Sequence, residues 1–139
     1  MKSTILSFLI FLGSIAFSFG QQLSNSEKII QVYGQEWFDR MQSSNSSGLQ
    51  VFDRYVENGF SVENFIDEKY NSFPVLDSIP LRSKTESSVS IEEFLMDYSS
   101  SDFNPLKYKF FPGNTTQIYK LQGVNKIIKI LPQSSLLNH

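Results

Sequence analysis

The chain has 139 residues, 40% hydrophobic and 19% charged, with a formal net charge of −2. That length suits one compact domain, and the composition argues against a disordered or fibrous chain. Cysteine is absent and the single histidine is His139, which excludes disulfide scaffolds, thiolate metal sites, cysteine nucleophiles and imidazole-based triads.

Residues 1–20 read as an export signal. Lys2 precedes an apolar run from Ile5 to Phe19 that is interrupted only by small or hydroxyl residues. At 15 residues the run is short of the roughly 20 needed to span a bilayer. Ser18 and Gly20 supply small side chains at the −3 and −1 positions ahead of Gln21, where a signal peptidase needs them. The expectation is cleavage near Gly20-Gln21. Residues 21–139 would then form a single periplasmic or extracellular domain with no transmembrane segment. Without cysteine, such a domain must be held by packing, for which residues 21–139 offer 9 Phe, 6 Tyr and Trp37.

Helix signals come first in the mature part. Ser24 and Glu27 form a capping box, in which each side chain accepts the other residue's free backbone N–H. Behind it Ile29, Tyr33, Trp37 and Met41 recur every four residues, with Ile30 and Phe38 alongside, which predicts one amphipathic helix. Gly34 weakens its middle by roughly 1 kcal/mol relative to alanine. The polar run from Ser43 to Gly48 ends the helix. A second helix is expected over Leu49 to Asn58, with Ser47 and Gln50 as its capping box and Gly59 as a left-handed stop. These two segments make a helical hairpin.

Between Phe60 and Lys84, Pro74 and Pro80 forbid a long helix. A short helix over 67–71 followed by an extended segment is the expectation, then a polar loop from Ser83 to Ser88. Ser90 and Glu93 form another capping box and open a short third helix that buries Ile91, Phe94, Leu95 and Tyr98.

The last third alternates. Leu106 to Phe111, Thr115 to Gln122 and Asn125 to Leu131 are separated by Pro112-Gly113-Asn114 and Gly123-Val124, which predicts a three-stranded antiparallel meander. With Gly123-Val124 as the turn, Tyr119 lies opposite Ile128, Lys120 opposite Ile127 and Gln117 opposite Ile130. A shift of that turn by one residue would set Lys120 against Lys129, a disfavoured like-charge pair. The expected fold is therefore α+β: a helical hairpin and a short third helix on one face of a small C-terminal antiparallel sheet.

Alternation also sorts the faces. Leu106, Tyr108, Phe110, Tyr119, Leu121, Ile128 and Ile130 would face the helices. Lys107, Lys109, Lys120 and Lys129 would share the opposite face with Phe111, Ile118, Ile127 and Leu131. Between residues 21 and 102 there are fourteen acids and six bases, whereas residues 103–139 hold five lysines and no acid. The four lysines are the expected partner-binding residues, for an anionic glycan or a protein's acidic surface. The plainer alternative is that they keep the sheet soluble and its edges unpaired. Nucleic acid is not an expected partner, since arginine is nearly absent from this stretch and no recognition motif appears.

Catalysis has little to draw on. Glu36 with Asp39, and Glu93 with Asp97, are carboxylate pairs on single helices, and carboxylate catalysis needs two facing across a cleft. Calcium-loop and phosphate-loop patterns are absent, so no catalytic residue, metal or cofactor is expected. Two N-glycosylation sequons, at Asn45 and Asn114, fall in expected turns. The favoured function is a non-catalytic exported binding module. A passive envelope component and a small carboxylate hydrolase are the alternatives.

Overall fold

The computed structural model describes residues 22–65 and 68–137, so the expected export signal and His139 lie outside the described residues. The fold is α+β. Helices α1 (Asn25–Tyr33), α2 (Gln35–Ser44) and α3 (Ser46–Arg54) come first, then strands β1 (Phe60–Asn64), β2 (Val75–Leu76), β3 (Ser78–Pro80) and β4 (Ser88–Ser90). Helix α4 (Ile91–Tyr98), strands β5 (Gln117–Leu121) and β6 (Lys126–Ile130) and helix α5 (Gln133–Leu137) complete the chain. The main sheet has the order β1-β6-β5-β2, and β3 pairs with β4 in a separate ribbon. Among the described residues no helix is long and apolar enough to cross a membrane.

The capping boxes at Ser24/Glu27 and Ser90/Glu93 form as expected, each with both reciprocal hydrogen bonds. The single long first helix does not form. Gly34, at φ +90° and ψ 157°, ends α1 and starts α2, a backbone conformation open essentially to glycine alone. The apolar stripe survives the break, because Tyr33 still stacks on Trp37 at 4.5 Å and both meet Phe52 edge-on. Asn45, not Ser47, caps α3 by accepting the Gly48 N–H at 3.0 Å. This helix runs into a π-turn, Tyr55–Gly59. Gly59 is no left-handed stop; a Cβ there would sit 2.7 Å from Tyr55 Cδ2, so glycine serves close packing.

The β5–β6 hairpin has the predicted register, with Tyr119 opposite Ile128, Lys120 opposite Ile127 and Gln117 opposite Ile130. Gly123 takes the positive φ of +80° that its turn needs. The third antiparallel strand, however, comes from β1 and not from residues 106–111. Pro105–Lys107 is a 3-10 turn whose first free N–H, that of Leu106, is accepted by Asn104 Oδ1 at 3.1 Å. Beyond it the chain runs alongside β3. Tyr108 bridges Leu81, the Lys109 N–H donates to the Pro80 carbonyl, and the Arg82 N–H to the Lys107 carbonyl. The expected short helix over 67–71 is a 3-10 turn at Glu68–Ser72.

One core fills the space between helices and sheet, around Ile29, Tyr55, Phe60, Phe94, Leu106, Ile128 and Ile130. Burial of each large apolar side chain contributes about 1.5–3 kcal/mol. Asn104 is fully buried within it. Its Nδ2 donates to the Lys28 carbonyl at 2.8 Å and to Gln31 Oε1 at 3.1 Å, which ties α1 to the 3-10 turn. The outer edge of β1 is met by Tyr98, whose hydroxyl accepts the Val62 N–H at 3.2 Å.

Candidate functional site

The four lysines expected on one face divide into two pairs. Lys120 and Lys129 stand on the sheet side opposite the helices, as alternation requires. There each is engaged. Lys120 Nζ donates to Asn71 Oδ1 at 3.3 Å and lies 5.5 Å from the Phe65 ring centroid. Lys129 Nζ is 3.8 Å from Glu63 Oε1, a pairing that comes from β1, its neighbour in the ladder. Ile127 on this side is buried as well. The side read as open is thus partly covered.

Lys107 and Lys109 do not join them, because the strand that would have carried them there is not part of the main sheet. The alternation itself is kept. Leu106, Tyr108 and Phe110 turn into the core, while Lys109 is exposed and Lys107 half-buried. The two lysines instead border a groove between α1 and the segment that follows β3. Two adjoining depressions of about 360 and 300 Å3 share Val32, Leu81, Arg82 and Ser83. Tyr33 and Lys109 complete the first, Gln31 and Lys107 the second. No acid among the described residues lines either.

Arg82 is the centre of this groove. Its Nη2 donates to the Phe110 carbonyl at 3.1 Å, and its guanidinium carbon lies 5.9 Å from the Tyr33 ring centroid. Its Nε is buried and has no hydrogen-bond partner among the described residues. A buried donor left unpaired costs about 1–3 kcal/mol, so this guanidinium is held in place at some expense of stability. Burial pushes the Tyr33 hydroxyl above the usual phenol range, and the Arg82 charge pulls the other way.

Lys107 Nζ has Asp97 Oδ1 at 3.9 Å, a partly exposed pair of the kind worth at most about 1 kcal/mol. Asp97 is also occupied by the Tyr108 hydroxyl, which donates to its other oxygen at 2.6 Å. No carboxylate among the described residues pairs with Arg82 or Lys109. The site therefore presents three cations, one of them weakly countered, on an apolar floor of Val32 and Leu81.

Sequence reasoning missed Arg82 and read Tyr33 only as part of the apolar stripe. Arg82 sits at the edge of a Ser-rich loop, and only its pairing with Lys107, 25 positions later, gives it a role. The carboxylate pairs are committed elsewhere: Asp39 accepts from Gln35, Glu93 completes a capping box and Asp97 holds Tyr108. Of the two sequons, Asn45 is the α3 cap and Asn114 is exposed in the bend before β5. A larger open depression of about 770 Å3 lies between α4 and the β5–β6 turn, lined by Ile91, Leu95, Met96 and Val124. Its one ionisable residue is Glu92, so it offers no convergent charge.

The chain matches no family model, no curated protein and no solved structure. The site's own chemistry carries the functional reading.

Proposed function

We propose that this is an exported, non-catalytic binding module that takes an anionic ligand in the groove between Arg82, Lys107 and Lys109. The reading is supported above all by the convergence of those three cations on one concave surface whose lining holds no acid. Cations gathered in a concave, low-dielectric setting focus the field and raise the local concentration of anions. Export places such a module where anionic polymers and acidic envelope surfaces are within reach.

The single tryptophan provides the readout, since Trp37 stacks on Tyr33 at the wall of the groove. Titration with inorganic tripolyphosphate at low salt should change Trp37 fluorescence. The double variant Lys107→Gln/Lys109→Gln should bind about tenfold more weakly, a loss near 1.4 kcal/mol. Lys120→Gln/Lys129→Gln should change affinity by less than about twofold, because neither amine lines the groove. Equal losses in the two double variants, or no loss in the first, would reject the groove.

A second reading, a passive envelope component, is favoured by one observation: Met96 is 70% exposed beside the apolar depression along α4. It predicts that Met96→Glu, and not the lysine variants, lowers retention of the protein in an envelope fraction.

A further inference from the structure

We infer that the ligand of this groove is an anionic polysaccharide, a sugar chain bearing carboxylate or sulfate groups; the inference rests on the anion-binding reading above. The charged groups of the lining, Arg82, Lys107 and Lys109, are all donors without lone pairs to offer. The neutral side-chain oxygens are mostly spent. Gln31 Oε1 accepts from Asn104, and Ser83 Oγ accepts the N–H groups of Thr85 and Glu86. The principal partner must therefore bring acceptor oxygens of its own.

An acidic peptide is poorly served here. Extended peptides gain affinity by adding to a free strand edge, and this groove has none along its floor. The N–H groups of Leu81, Arg82, Lys107, Tyr108 and Lys109 are all bonded within the chain, to Ser87, Lys107, Asn104, Pro105 and Pro80 respectively. The carbonyls of Pro80, Lys107 and Phe110 are taken as well. Recognition falls to side chains.

Those side chains ask for more than charge. The Tyr33 hydroxyl makes no hydrogen bond among the described residues, and it can both donate to and accept from a sugar hydroxyl. Val32 and Leu81 give an apolar floor that a bare inorganic anion would leave unused and that the C–H face of a pyranose would cover. The groove is open and continuous. Lys107 and Lys109, two residues apart in the chain, each line one of the two depressions, and both depressions share Arg82. That arrangement suits negative charges repeated along a polymer.

Four probes of matched charge decide the matter by Trp37 fluorescence at physiological salt: oligogalacturonate, a sulfated dextran oligosaccharide, oligoglutamate and inorganic polyphosphate. One of the two glycans should bind at least tenfold more tightly than oligoglutamate and polyphosphate, and which one identifies the anionic group. Tyr33→Phe should weaken the glycan about threefold, a larger loss than it causes for polyphosphate, which can use the hydroxyl only as a donor. Oligoglutamate or polyphosphate binding as tightly as both glycans would overturn the polysaccharide assignment and leave the anion groove standing. Failure of all four probes, at low salt as well, would overturn the groove itself.

Discussion

The two lysine pairs of the last third differ in what surrounds them. Lys120 and Lys129 belong to the hairpin, the most regular part of the chain, and each has found a local partner in Asn71 or Glu63. Lys107 and Lys109 belong to an irregular segment, and they border a groove with Arg82 while Lys109 has no carboxylate partner among the described residues. Period-two alternation places a lysine on a side. What that amine can then do depends on which earlier element lies across from it. Regularity made one pair easy to locate and left both its amines engaged; the other was harder to locate, and of its two amines Lys107 meets Asp97 while Lys109 has no carboxylate partner among the described residues.

The largest way to break this contrast is Asn104→Leu. It removes the two hydrogen bonds that tie α1 to the turn bearing Lys107 and leaves the Leu106 N–H unpaired in the core. The expected loss is about 3 kcal/mol in denaturant unfolding, with weaker polyanion binding by any molecules that still fold. Gly34→Ala comes next. A Cβ at Gly34 meets no atom within 4 Å, so the cost is backbone strain alone, about 1–3 kcal/mol. It should also disturb the wall at Tyr33, seen as a shift of Trp37 emission in the free protein.

Smaller effects sharpen the comparison. Glu63→Gln should release Lys129 and raise tripolyphosphate affinity by less than about twofold, whereas the same change made far from any lysine should do nothing measurable. Glu27 gives a pH handle on α1. The hydrogen bonds from Ser24, backbone first and side chain second, hold its carboxyl below the ordinary value of 4.5. A folded pKa below the unfolded one adds stability above the unfolded value, and that stability is lost as pH falls through the folded value. Glu27→Gln should therefore melt slightly below the parent protein at neutral pH. The two melting curves should converge in acid below pH 4.5.

Much of this architecture was legible because its signals are local. The Ser24/Glu27 and Ser90/Glu93 boxes and the Gly123-Val124 hairpin each depend on residues a few positions apart. The misread parts depend on distant ones. Residues 106–111 alternate like a strand of the main sheet, yet Asn104 and Pro105 turn the chain first and its partner becomes Pro80 to Arg82. Strand β1 was missed because Phe60 to Asn64 gains its shape from pairing with β6, 66 residues away in the ladder at its centre. The candidate site suffered most, since six of its eight lining residues come from α1 and the β3 end, where no motif marks Arg82 and Tyr33 reads as one more residue of the apolar stripe.

The contact of Tyr98 with the edge of β1 would matter to the proposed polyanion-binding role. A long anionic chain would gather many copies of this protein side by side, a crowding that tempts exposed strands to knit together across molecules. Here the phenol of Tyr98 occupies the outward amide of Val62 on one flank. On the other flank β2 is two residues long and follows Pro74. Both flanks thus offer little strand edge for copies to pair through, and salt would release copies held by charge alone.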